Sequence, residues 1–445
     1  MTVFRTAGPD PVLSSRTRTI TFVLIAAVVV SSFLGRYDVP VAGFRVRVEQ
    51  VVPVVLAAWM LVHPTLRRAF FHAARHPVPL VYGAFVAWNL VSTLVFSPSV
   101  VWSSSILVWL TIDLLLLISL MAVAAGANFA DRLGRASVVP WGLVGFAAFA
   151  AANLTRGHVA LGADFDYLYE VYVARVTAIE ANIYASILVF WTLLAITRRG
   201  IGRLETAAIA VAVPLGLIAS QTRTAVFSLL LGLAVFAVYA LLTDRRPARE
   251  RWRRILPAGI VAATIVVSYG VMAAAGGTEP ADRTLSATAA PSPGATREPD
   301  PSNPEQQNKI GDIDFEGGTI GFRLTVAELA AEDMTGVNLW FGNGTNTFGL
   351  RHEQPGTPGV SGHIIMLPVQ VLYDGGIVGL GLLLAFFGTV FVCVPRPRRP
   401  IAAGLLSAYL LSATLTSMFW FAVTWILVAV LLRPRSASDH DLDGS

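Results

Sequence analysis

The sequence predicts an all-α protein that crosses a membrane many times and carries one large extramembrane loop. Three observations point there. Of 445 residues 55% are hydrophobic and only 14% are charged, against roughly 25% charged in a soluble domain. The mean hydropathy is +0.64. Apolar runs recur along the whole chain, with arginines clustered at their ends.

The first eighteen residues are polar and include Arg5, Arg16 and Arg18. The run 20–34 lacks a clear small-residue cleavage site, so it reads as a retained first span rather than a removed signal peptide. Further runs lie near 48–63, 79–97, 100–124, 137–154, 180–197, 204–220, 224–243, 255–274, 364–394, 401–417 and 419–432. A helix needs about 20 residues to cross the hydrocarbon core, which makes about twelve spans. Residues 1–275 then hold nine spans, 276–362 form an extracytoplasmic loop, 363–433 hold three spans and 434–445 form a cytoplasmic tail.

Arginine placement sets the orientation. A cytoplasmic N-terminus puts most of the 33 basic residues inside, among them the dense segment 244–254. Inner segments are short and rich in arginine, as the positive-inside rule requires. The formal charge of +5 is therefore no argument for nucleic acid. A single cysteine, Cys393, excludes an intrachain disulfide and a Cys-based zinc site.

Residues 206–243 contain one charged residue, Arg223. As a single helix this stretch would be about 57 Å long, nearly twice the bilayer core, so it reads as two spans with a turn near its middle. Arg223 then lies at the outer membrane–water boundary. At the bilayer centre it would cost from about 2.5 to over 10 kcal/mol.

The loop begins with a Pro-, Ser- and Ala-rich stretch, 286–308, where disorder is expected. Residues 310–362 are expected to be partly helical. Segment 321–334 has apolar residues at helical spacing, followed by a Gly-rich turn with aromatics at 339–350. The chain then re-enters the membrane, with Pro368 expected to kink the tenth span. A second outer segment, 156–185, is polar and aromatic and includes Arg175, Glu180 and Asn182.

Arg175, Arg223, Arg323 and His363 all fall on the expected outer side. Guanidinium forks suit a phosphorylated lipid headgroup, because they give charge-assisted and often bidentate hydrogen bonds. The plainer reading pairs them with Glu49, Glu180 or headgroup phosphates. His363 suits a general base, and His352 is its rival. The histidines lack zinc-ligand spacing. Asp164/Asp166 and Asp312/Asp314 imitate metal-binding Asp-x-Asp pairs, yet solvated loop acids are the default, and no strand is expected around them. Asp113 falls within the fourth span, where acids are usually paired or functional, and no partner is obvious. Asn153 and Asn343 match the short glycosylation sequon.

The order of motifs resembles the O-antigen ligase and O-antigen polymerase family of bacterial membrane proteins. "RVTAIEANIYAS" (175–186) is similar to the family's Arg- and Asn-containing opening of a middle span. "SQTRTA" (220–225) is similar to its S-x-S-R-[ST]-A motif, with Thr222 where serine is usual. Arg323 and the Gly342, Gly344, Phe348 turn resemble its large loop. His363, Asp374, Gly376 and Gly379 resemble its His, acid and G-x-x-G, with Asp374 in place of the usual Glu.

The resemblance implies a glycosyltransferase C-like fold in the bacterial cytoplasmic membrane with an extracytoplasmic site. It implies inverting glycosyl transfer without metal, nucleotide sugar or other cofactor, in cell-envelope polysaccharide assembly. The donor would be a glycan on a polyprenyl diphosphate, and the acceptor hydroxyl would belong to a glycan, lipid or protein. Membrane lipids are the other expected partners. Arg223 and Arg323 would hold the diphosphate, with Arg175 assisting and His363 as base. Asn182, Thr222, His352 and Asp374 are further candidates. The alternatives are a polymerase joining lipid-linked repeat units, or a transporter or flippase of lipid-linked sugars. A metal-dependent sugar transferase would need acids in the first outer loop, which offers only Asp38 and Glu49.

Overall fold

The computed structural model describes residues 13–41, 44–166, 171–198, 200–243, 247–274, 309–310, 313–314, 318–352, 364–416 and 418–433. The expected disordered stretch 286–308 and His363 lie outside them.

Each apolar run is helical. In order these are α1 (Ser15–Ser31), α2 (Val48–Val62), α3 (Pro64–Ala74), α4 (Pro77–Phe96), α5 (Val100–Ala122), α6 (Ala124–Ala136), α7 (Val138–Leu154), α8 (Ala181–Ile196), α9 (Arg203–Ser220), α10 (Arg223–Thr243) and α11 (Ala248–Ala274). The loop supplies α12 (Gly318–Asp333), α13 (Val337–Phe341) and α14 (Phe348–His352). The chain closes with α15 (Leu367–Cys393), α16 (Arg399–Leu415) and α17 (Ala422–Leu432). Two hairpins cap helix ends: β1 (Asp38–Val41) with β2 (Phe44–Arg47), and β3 (Ala163–Asp166) with β4 (Val171–Ala174).

Among the described residues seven helical spans are long and apolar enough to cross a membrane. An eighth is added if α2 and α3, bent by 113°, count as one. The chain is thus an all-α polytopic membrane protein. Length alone does not carry the other runs. Two of them, α8 and α17, are the bundle's interior: Ile183–Ile196 and Ala422–Leu432 are buried throughout. A helix apolar on every side belongs in such a core. Other helices close on one another through small residues. A Cβ on Gly404 of α16 would stand 2.5 Å from the Gly232 carbonyl of α10, and one on Gly142 of α7 would stand 2.4 Å from the Ala212 carbonyl of α9.

The stretch 206–243 is two helices, as its length requires. The break is Gln221, at φ 53°, and Arg223 opens α10. At the arginine-dense end of the bundle, Asp131 of α6 accepts from Arg135 at 2.8 Å and from Arg433, just after α17, at 2.7 Å.

Three expectations are corrected. Pro368 does not kink the tenth span. It sits in the first turn of α15, where a missing N–H leaves no bond unmade. The break is at Gly376, with φ 66° and ψ −168°. Asp164 and Asp166 lie in a strand, β3, and Asp314 ends a two-residue strand, Ile313–Asp314, paired with Lys309–Ile310, although none was expected at either Asp-x-Asp pair. Asn343 is fully buried, so its sequon is part of the core rather than a surface acceptor.

The break at Gly376 is where the loop docks. The N–H groups of Asn343 and Gly344 donate to the Tyr373 and Asp374 carbonyls at 2.8 and 3.2 Å. From α4, the Ser92 hydroxyl donates to the Asp374 carbonyl and the Trp88 indole to the Gly375 carbonyl, both at 2.7 Å. A Cβ on Gly376 would stand 2.2 Å from the Trp340 carbonyl, in a backbone region essentially reserved for glycine. Gly376→Ala should therefore destabilise the fold by about 2–3 kcal/mol before steric relief is counted. Gly381→Ala, which meets nothing within 4 Å, should be neutral. Thermal unfolding of the two variants in detergent checks the contrast.

Candidate functional site

The site lies at the end of the bundle opposite the Asp131 network, around the start of α8. The segment 175–180 leads there from β4. Arg175 pairs with Asp164 of β3 and donates to the Ile179 carbonyl at 3.2 Å. The Arg36 N–H, in the turn after α1, donates to the Thr177 carbonyl at 3.0 Å. A Cβ on neighbouring Gly35 would lie 3.5 Å from Ile179 and 3.7 Å from Glu49 Oε1. The end of α1, the start of α2 and the approach to α8 therefore form one wall.

Arg47 stands at the N-cap of α2. Its guanidinium lies 5.1 Å from the Trp109 ring centroid and 5.3 Å from that of Phe421. It also reaches Glu49 at 3.5 Å. Such stacking on two aromatic faces fixes a cation in place. Glu180, the N-cap of α8, interacts electrostatically with Arg47, Arg323 and Arg175. Protein crowds this carboxylate on most sides, yet its surface is open to solvent. Crowding pushes its carboxyl above the usual carboxylate range, against the pull of the three arginines. Arg175 is lowered from the ordinary guanidinium value, first by burial and then by Arg36, while Glu180 opposes both.

The turn between α9 and α10 joins the same wall. Buried Thr222 donates from its hydroxyl to Asn182 Oδ1 at 3.3 Å. Arg223 beside it is exposed, and its charge acts on the Tyr269 hydroxyl of α11. The structure thus gathers Arg175, Asn182, Thr222 and Arg323 near Glu180, with Arg223 at the adjoining helix start.

The far end of α12 carries a second arrangement. Ten residues after Arg323, about 15 Å along the helix, Asp333 Oδ2 lies 2.9 Å from His352 Nε2 and accepts from the Tyr373 hydroxyl at 2.7 Å. The imidazole stacks on Phe348, with centroids 4.5 Å apart. Burial alone would raise the Asp333 carboxyl. The hydrogen bonds from Tyr373 and His352, with the charges of His352 and Arg351, outweigh it and hold the group below the usual carboxylate range. An ionised Asp333 requires Nε2 to donate, leaving Nδ1 as the basic position of a neutral ring.

Asp374 is buried and accepts from the Asn346 N–H at 3.1 Å. With Gly342 and Gly344 it builds the docked turn and is scaffold. His363 lies outside the described residues. Asp113 does have neighbours: it interacts electrostatically with Glu49 and with Tyr82 and Tyr409. Among the described residues no group of three His, Cys, Asp or Glu is placed to hold a metal ion. Arg47, Asp333 and Tyr373 were not found from sequence, and only the Arg45/Arg47 pair before a span hinted at the first.

The depressed Asp333 carboxyl has a pH signature. Its pairing stabilises the docked loop above the ordinary carboxylate value and is lost as pH falls through the lower folded value. Proteolysis of the segment 318–352 in wild type should accelerate below about pH 4. Asp333→Asn should be cleaved faster than wild type at pH 7, with the acid dependence flattened.

Residues 207–384 match the O-antigen ligase family. The matched stretch runs from α9 into α15 and includes Thr222, Arg223, Arg323, Asp333, His352 and Asp374. Arg47, Arg175, Glu180 and Asn182 precede it. A comparison with curated proteins finds no match. With its bundle of membrane-spanning helices, the chain is thus similar over this matched segment to the O-antigen ligase family.

Proposed function

We propose that the protein transfers a glycan from a polyprenyl diphosphate to an acceptor hydroxyl at the extracytoplasmic face of the bacterial inner membrane. The observation that carries this reading is the hydrogen bond from Thr222 to Asn182, which ties the turn bearing Arg223 to the start of α8, where the charges of Arg175 and Arg323 act on Glu180. Orientation follows from the opposite end, where Arg67, Arg132, Arg198, Arg203, Arg396 and Arg433 collect and the positive-inside rule assigns cytoplasm.

The acceptor oxygen bonds to the anomeric carbon as the carbon–oxygen bond to the diphosphate breaks. The bonding pair leaves with the diphosphate, and the acceptor proton passes to a base. A single displacement inverts the anomeric centre. Negative charge grows on the leaving group, and arginines already in place lower that barrier without reorganising. Arg223 and Arg323 hold the diphosphate, and Arg175 assists. The family resemblance assigns the base to His363. His352 is a second candidate, supported by the carboxylate that orients its ring.

The test is release of labelled polyprenyl diphosphate from a lipid-linked glycan by purified protein with EDTA present. Arg223→Ala and Arg323→Ala should each lower turnover roughly 100-fold. Replacing the true base with alanine should cost about 100-fold or more in kcat. Comparing His363→Ala with His352→Ala decides between them. Wild-type release in all four variants would sink the assignment. Chain growth on the lipid carrier would mark a polymerase, and lipid movement without release a transporter.

A further inference from the structure

The short helix α13, Val337–Phe341, is inside out for a helix in water. It is apolar except for Asn338, and its apolar side chains are open: Val337 is 57%, Leu339 36%, Trp340 55% and Phe341 40% exposed. The polar side chain turns the other way. The Asn338 amide donates to Oδ1 of buried Asn343 at 2.9 Å, and the Asn338 carbonyl accepts from the Gly342 N–H at 2.8 Å. A helix facing water hides its apolar side chains and shows its polar ones. Exposed apolar side chains in a group mark contact with something apolar.

The seat of α13 identifies that contact. By ring centroids Phe341 lies 5.6 Å from Trp88 and 6.1 Å from Phe96. Those two residues of α4 are about 12 Å apart along the helix, so α13 is seated beside the last two turns of a span rather than above its end. Its backbone touches a second span, because the Trp340 carbonyl would lie 2.2 Å from a Cβ on Gly376 of α15. Next to the Trp88–Phe96 stripe of α4 lie Val91 and Val95, 47% and 63% exposed. Exposed aliphatic side chains on a span face lipid, and the open side chains of α13 continue that surface. Exposed Glu332, near the end of α12, belongs to the aqueous side.

We propose that α13 is inserted in the outer leaflet, with Val337, Leu339 and Trp340 among the acyl chains of bilayer phospholipids. Buried apolar area holds an interfacial helix of this kind, and tryptophan favours the boundary with the headgroups. The loop is then fixed from two sides, by hydrogen bonds at the Gly376 break and by lipid at α13. Asp333, four residues before Val337, and its partner His352 are thereby held near headgroup height. The insertion does not depend on the glycosyl-transfer reading.

The experiment is spin-label accessibility in the full chain, reconstituted in vesicles of phosphatidylcholine and phosphatidylglycerol. Cys393→Ser removes the native thiol, and Val337→Cys or Trp340→Cys carries the label. Glu332→Cys is the aqueous reference and Val95→Cys the lipid reference. Power saturation compares collisions with oxygen, which concentrates among acyl chains, and with a water-soluble nickel chelate. The oxygen-to-nickel ratio at both α13 sites should exceed that at Glu332 several-fold and approach that at Val95. If thermal unfolding shows that Trp340→Cys does not fold, Val337→Cys carries the test alone. A ratio equal to that at Glu332 would place the helix in water and overturn the proposal. Few collisions with either probe would show a cover of protein, such as a second copy of the chain, and would overturn it as well.

Discussion

The break at Gly376 organises the site end of the molecule. A helix interrupted inside a membrane protein exposes carbonyls that lipid cannot satisfy, at several kcal/mol each. Here the carbonyls of Tyr373, Asp374 and Gly375 are met by the loop backbone and by two α4 side chains. The extramembrane loop is thereby referenced to a span rather than tethered above it. Its turn is buried, with Asn343, Thr345 and Thr347 fully covered. From that anchor the chain sets α12, whose last residue, Asp333, bonds Tyr373 one turn before the break. The other part of α12 delivers Arg323 to the charge cluster.

The cluster is an economical answer to a dielectric problem. Arginines next to hydrocarbon must be paired or hydrated, and a carboxylate does the former at little geometric cost. Aromatic faces do part of the same task for Arg47. The histidine arrangement follows a separate logic: Asp333 fixes the ring's tautomer, which selects the nitrogen that can accept a proton.

The helical runs were legible because hydrophobic length is a local property of the chain, although among the described residues seven or eight of them, rather than the expected twelve, are long and apolar enough to cross a membrane. The two-helix reading of 206–243 followed from length arithmetic alone, and it placed Arg223 at a turn. Asn182 and Thr222 were also singled out, and they share a hydrogen bond. What stayed hidden were contacts across long sequence separations. Arg47 finds Trp109 and Phe421 only after folding, and Tyr373 reaches Asp333 across 40 residues. Pro368 misled because a proline's effect depends on where its helix begins, and that start is set by a loop. Gly375 and Gly376 sit in an apolar run that reads as unbroken helix.

The interior helix α8 has 16 residues, about 24 Å of rise, against a hydrocarbon thickness of roughly 30 Å. Protein surrounds it on every side, so its ends need not meet water at the bilayer surface. The length of α8 therefore does not hold Glu180 and Asn182, at its N-terminus, to the headgroup plane. A diphosphate anchored by a long isoprenoid could then be met at its own depth, with the lipid tail still in the membrane.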